Sequence, residues 1–116
     1  ACGVKFEKVC YEKEGGSAFD IISKVPGLKA CICGHDHVND YCGVYNGVDL
    51  IYGRATGVGG YGADVVPKGG KLYTLFPSTG EYDWVSVTPD GERWHPPKDM
   101  RVERKEELPW LNKLGV

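Results

Sequence analysis

Two histidines separated by one residue, His35 and His37, follow a glycine at the end of a short apolar run. Imidazole nitrogen is the commonest metal donor in proteins, and histidines close together in one loop can face two metals a few ångströms apart. On spacing alone the pair reads either as metal ligands or as two solvent-exposed imidazoles. Asp36, between them, is placed to orient a histidine or a substrate, with a solvated carboxylate as the alternative. Arg54 lies in a glycine-rich stretch and has the fork geometry for phosphate, with a structural salt bridge as the competing role. His95 precedes two prolines and reads as a surface or packing residue.

The cysteines are the second chemical signal. Five in 116 residues, Cys2, Cys10, Cys31, Cys33 and Cys42, suit an oxidising compartment, so the expected location is the secretory pathway or outside the cell. Cys31 and Cys33 stand two apart on a predicted strand, share a face and are poorly placed to bond to each other. Cys10 and Cys42 flank the helix-strand unit and are the expected disulfide, and the odd count leaves at least one thiol over. A zinc site built from cysteines alone lacks a second Cys-x-Cys pair.

The elements that position these residues follow from periodicity. Ser17 is a candidate cap for a helix whose apolar positions Ala18, Phe19, Ile21, Ile22 and Val25 keep helical spacing until Pro26-Gly27 stops it. Residues 28–33 then predict a buried strand, because the run is short, apolar and followed by glycine. The histidines therefore fall where α/β sheets place ligand sites, in a loop at a strand's carboxyl end. Asn46-Gly47 joins two short strands as a hairpin turn. Five glycines between positions 53 and 62 make that stretch a loop. Residues 71–77 and 82–88 predict a second hairpin, with Tyr73, Phe76, Tyr82 and Trp84 as its core, and Pro89-Asp90-Gly91 turns the chain once more. The expected fold is mixed α/β (α+β), one short helix followed by mainly antiparallel strands after residue 40. Residues 1–94 form the body and residues 95–116 a charged, proline-containing tail.

Composition excludes some partners. A net charge of −2 offers no concentrated basic face, which argues against nucleic acid, and the mixed-sign run at 101–107 reads as a solvated surface. The longest apolar stretches fall far short of the roughly 20 residues that span a bilayer, so no membrane partner is expected. The chain starts at Ala1 and its single methionine is Met100, so it is expected to be a processed or excised piece, or to have lost its initiator. The lack of a visible signal peptide is uninformative in such a chain.

The stretch from Gly34 to Gly43, Gly-His-Asp-His-Val-Asn-Asp-Tyr-Cys-Gly, resembles a segment of the calcineurin-like metallophosphoesterases, in the purple-acid-phosphatase-like branch. The resemblance continues through Tyr52-Gly53-Arg54-Ala55-Thr56-Gly57 and Gly59-Gly60-Tyr61-Gly62 and covers residues 10–94. It implies a partial metallophosphoesterase β-sandwich. It also implies a two-metal centre of Fe, Zn or Mn in the intact enzyme, with a phosphate ester as substrate. His35 would ligate the second metal and His37 the first, with Asp36, Asn39 and Arg54 as possible substrate or supporting residues. A hydroxide bridging the metals would attack phosphorus in line.

The family's Asp-x-His, Gly-Asp-x-x-Asp and Asn-His loops do not occur in the sequence. Each metal needs about three or four protein ligands, carboxylates among them, so the chain alone is expected to hold no catalytic residue set and to be inactive. Three functions follow. The first is the C-terminal part of a secreted two-metal phosphoesterase that needs the N-terminal half of the same precursor. The second is a non-enzymatic, self-assembling or interaction module that forms homo-oligomers through exposed strand edges. The third, ranked last, is a metal-sequestering protein using His35, His37 and an unpaired cysteine.

Overall fold

The computed structural model describes residues 1–10, 18–96 and 103–104. The Ser17 cap, most of the 101–107 charge run and the apolar residues 108–114 lie outside these residues. Helix α1 spans Ala18–Ile22 and unwinds through tighter turns, Lys24 N–H bonding Ile21 O and Val25 N–H bonding Ile22 O. It ends before Pro26, which has no N–H to continue the ladder.

The strands are β1 (Cys2–Lys5), β2 (Ala30–Cys33), β3 (Asn39–Tyr45), β4 (Val48–Tyr52), β5 (Gly70–Phe76), β6 (Glu81–Val87), β7 (Arg93–Trp94) and β8 (Glu103–Arg104). They form a five-stranded sheet in the order β2-β4-β3-β1-β8 and a three-stranded sheet in the order β5-β6-β7. β2/β4 and β1/β8 are parallel, and the other pairs are antiparallel. This is the mixed α/β architecture that periodicity predicted. The Asn46-Gly47 hairpin forms as expected, with Tyr45 opposite Val48 and positive φ of 49° and 76° at the two turn residues.

One apolar cluster sits directly behind the histidine loop. Phe6, Val38 and Val66 are buried together, with Val4 and Val65 packed against them. Val38 follows His37 in sequence, so the loop is anchored by the residue that leaves it. Phe6 N–H bonds Val38 O at 3.1 Å and extends the β1/β3 pairing to the loop.

Strand β2 corrects the expectation of a buried strand. It stands at the end of its sheet, paired with β4 alone among the described residues, and Ile32 is 56% exposed. Helix α1 does not cover it either, since none of the helix residues is buried and Ile21 is 66% exposed. The edge strand of the second sheet, β5, exposes Leu72, Leu75 and Phe76, so Phe76 is surface and not hairpin core. Trp84 is the one aromatic of that hairpin that is buried, while Tyr73 and Tyr82 are half-buried. The pattern of residues 28–33 is that of a strand covered on both sides. The described residues supply no such cover.

Candidate metal centre

His35, Asp36 and His37 occupy the loop between β2 and β3, and each is held differently. His35 takes a φ of 116°, rarely adopted by a side-chain-bearing residue, and its imidazole is exposed. His37 is half-buried. Both line one cleft with Gly34, Gly53, Arg54 and Gly60, so the two imidazoles share a surface.

Three contacts fix His37. Its backbone N–H donates to Glu7 Oε1 at 2.5 Å, and the next N–H, of Val38, donates to the same oxygen at 3.0 Å. Its ring stacks on Tyr61, centroids 4.2 Å apart at 17°. Tyr61 in turn donates its hydroxyl to Glu7 Oε2 at 2.6 Å. Glu7 thus holds both the backbone of His37 and the aromatic ring that flanks it. His37 Nδ1 is buried without a hydrogen-bond partner, a condition that costs about 1–3 kcal/mol when nothing relieves it.

Asp36 lines the same cleft, but its carboxylate is taken up by other groups of the chain. Only 5% exposed, its carboxylate accepts the Tyr52 hydroxyl at 2.5 Å, the Asn39 amide at 3.2 Å and the Cys10 N–H at 3.2 Å. Its own N–H donates to the Tyr52 oxygen at 2.8 Å. The solvated carboxylate is therefore excluded, and the Asp36 carboxylate ties the loop to Tyr52, Asn39 and the Cys10 backbone. Asn39 is wholly buried and relays this hold to β1, accepting the Glu7 N–H at 3.2 Å. Arg54 takes its salt-bridge role: Nε donates to Asp40 Oδ2 at 2.7 Å, and the guanidinium lies 5.4 Å from the Trp94 ring centroid. His95 is an exposed packing residue, its ring 4.1 Å from that of Trp84.

All five cysteines are free thiols in this structure, and its geometry does not favour the expected Cys10–Cys42 pairing. Cys10 is exposed and its N–H is directed at Asp36, whereas strand register sets Cys42 opposite Cys2. The flanking position of Cys10 in sequence carried no information about register, which decides sulfur proximity in a sheet. Glu7 was not singled out by sequence, and Tyr52 and Tyr61 entered only as part of the resemblance, with no site role. Their partners lie 16 to 54 residues away, and no local spacing encodes such pairs.

The tyrosines of this region are held protonated. Tyr61 is pushed up to about 12 by its hydrogen bond to Glu7 and then by burial. Burial pushes Tyr73 up to about 12, and burial with a carboxylate partner raises Tyr52 and Tyr82 further. An unfolded tyrosine ionises near 10. Between roughly pH 10 and 12 the folded chain therefore binds more protons than the unfolded one, and stability falls as pH rises through that window. Tyrosinate absorbance of native protein should rise at a higher pH than in denaturant, with unfolding accompanying it. Coincident curves would contradict these hydrogen bonds.

The residues present fit one side of a metal centre and not a whole one. Among the described residues no three of His, Cys, Asp and Glu are grouped to hold a metal ion. The loop offers two imidazoles, and its carboxylate is spent on Tyr52, Asn39 and Cys10.

Comparison with known proteins finds partial similarity to three relatives. Over 60 residues the chain is 35% identical to probable inactive purple acid phosphatase 14 and to probable inactive purple acid phosphatase 29 of Arabidopsis thaliana. Over 35 residues it is 51% identical to probable inactive purple acid phosphatase 28 of the same plant. These stretches are 52%, 52% and 30% of this chain, yet only 15%, 15% and 9% of the three relatives. No protein-family profile matches, and no solved structure matches. Over these stretches the chain is similar to purple-acid-phosphatase-like proteins, of whose length it spans 15% or less, which agrees with the resemblance carried by the loop from Gly34 to His37.

Proposed function

We propose that this chain supplies the histidine side of a two-metal phosphoesterase centre whose carboxylates arrive on another segment seated along β2. The observation that carries this reading is His37: ordered by Glu7 and Tyr61, open to the cleft shared with His35, and left with a buried, unpartnered Nδ1. The seat is the edge of β2 left unpaired among the described residues, together with the apolar groove between β2 and β5, where Ile32, Leu75 and Phe76 are exposed. An unpaired edge is a template for strand addition. Bound metals in such a centre supply a nucleophilic hydroxide and neutralise charge on the phosphoryl oxygens. Secretion of the protein is part of the proposal and rests on its cysteine content.

A second reading has support of its own. The relatives are named as inactive, and the exposed β2 edge suits a homo-oligomeric assembly module as well as a half-enzyme. One experiment separates the two. The chain alone, and the chain coexpressed with the N-terminal portion of a purple-acid-phosphatase-like relative, are assayed on an aryl phosphate with Mn²⁺, Zn²⁺ or Fe. The enzyme reading expects background rates for the chain alone and metal-dependent turnover for the pair. The assembly reading expects no turnover in either and a homo-oligomer by light scattering. Turnover by the isolated monomer would overturn both.

A further inference from the structure

We propose that Cys2 and Cys42 form a cross-strand disulfide that staples β1 to β3 and thereby fixes the strand leading to Glu7. The inference stands on strand register and goes beyond the reading of the metal site. β1 and β3 are antiparallel, and Cys2 is the direct partner of Cys42 in a ladder that continues through Gly3↔Tyr41, Val4↔Asp40 and Lys5↔Asn39. Directly opposed residues of an antiparallel pair have Cα atoms roughly 4.5–5.5 Å apart, inside the roughly 4.4–6.8 Å that a disulfide spans. The two Sγ atoms already lie 3.3 Å apart.

The next rung holds the strands close. A Cβ at Gly3, whose φ is 119°, would run into the Asp40 carbonyl and the Tyr41 backbone. Glycine at that position lets β1 approach β3, and the approach keeps the two thiols in contact. The other cysteines are placed differently. Cys31 and Cys33 lie on β2, at the far end of the sheet, and Cys10 lies beyond β1 with its N–H on Asp36. The staple would matter to the site because β1 leads through Phe6 to Glu7, the residue that holds the His37 and Val38 N–H groups.

The reaction is thiol–disulfide exchange with a small-molecule disulfide such as oxidised glutathione. Burial, then the hydrogen bond with Cys2, pushes the Cys42 thiol up to about 12, so Cys42 is the poorer first nucleophile. Cys2 loses its proton and its sulfur attacks one glutathione sulfur, breaking that S–S bond and releasing one glutathione thiolate. Cys42 then gives up its proton and attacks the Cys2 sulfur, releasing the second glutathione. Two protein thiols lose two electrons and two protons, and one glutathione disulfide becomes two glutathione molecules.

The test equilibrates the full chain in a glutathione redox buffer, alkylates it with iodoacetamide and maps peptides without reduction. The expected result is a Cys2–Cys42 linked peptide, with Cys10, Cys31 and Cys33 alkylated. The oxidised chain should melt higher than the reduced chain by on the order of 10 °C, from the closed loop's lost unfolded-state entropy. Cys2→Ser and Cys42→Ser should each abolish that rise while melting like the reduced chain, and Cys10→Ser should keep it. Alkylation of both Cys2 and Cys42 in the oxidising buffer would overturn the proposal. So would a linked peptide joining Cys42 to Cys10, Cys31 or Cys33.

Discussion

Asp40→Ala should cost about 3–5 kcal/mol, the usual loss when one partner of a buried ion pair is removed, and this is comparable to the whole stability of a small domain. Asp40 is fully buried on β3 and receives three donors from elsewhere in the chain. They are Arg54 Nε at 2.7 Å, the Lys71 ammonium, and Ser86 Oγ at 2.8 Å. Lys71 and Ser86 belong to β5 and β6, so this carboxylate ties the three-stranded sheet to the five-stranded one. With alanine there, two buried cations lose this counter-charge, and among the described residues the Lys71 ammonium keeps Ser86 and the Trp84 ring 3.8 Å below it. Urea titration followed by tryptophan fluorescence measures the loss. Asp40→Asn should fall between wild type and Asp40→Ala, because it keeps an acceptor but not the charge.

The pH dependence of that variant separates electrostatics from packing. Burial lowers the Lys71 pKa from its ordinary value, and the Asp40 carboxylate opposes the shift. Removing Asp40 lets burial dominate, so the folded pKa drops further below the unfolded value near 10.4. Within that window the unfolded chain binds more protons, and stability rises with pH. The deficit of Asp40→Ala should therefore be smaller at pH 9 than at pH 7. An equal deficit at both would mean that lost packing, and not an uncompensated ammonium, accounts for the damage.

What sequence conveyed and what it did not divide along a physical line. The Asn46-Gly47 turn, the stop at Pro26 and the glycine-rich loop are local facts, set by backbone angles that few residues tolerate, and they were legible. The position of the histidines after β2 was legible for the same reason. The apolar run at 28–33 correctly announced a strand, but its cover is a non-local property, and β2 lies exposed at a sheet edge. Most contacts that orient the site are of that second kind. Glu7 reaches His37 across 30 residues, Tyr52 reaches Asp36 across 16, and Cys2 meets Cys42 across 40. A mixed role for Asp36 was open in sequence because the residue type suits both water and burial. Tyr52 and Asn39 decide it, and neither is marked by spacing.

Gly60 offers the sharpest test of whether His37 is a ligand, because an added methyl there would strike the imidazole. A Cβ at Gly60 would stand 2.6 Å from His37 Cε1 and 2.7 Å from Nδ1, inside any tolerable contact. The ring has little room to yield, since Tyr61 stacks on it and Glu7 holds its backbone. Gly60→Ala should therefore shift the imidazole by several tenths of an ångström or more. In the coexpressed pair of chains, turnover should fall, by up to roughly 10²-fold if the displacement reaches about 1 Å. Metal content after dialysis should fall in parallel, while the melting temperature stays near that of wild type. Gly57→Ala, in the same loop with nothing within 4 Å of the added methyl, is the control and should leave both readouts unchanged. His37→Ala should bring turnover to background and match Gly60→Ala in direction. If Gly60→Ala retains full metal content and turnover, His37 is not a ligand. Its buried Nδ1 then marks a packing defect and not a metal donor.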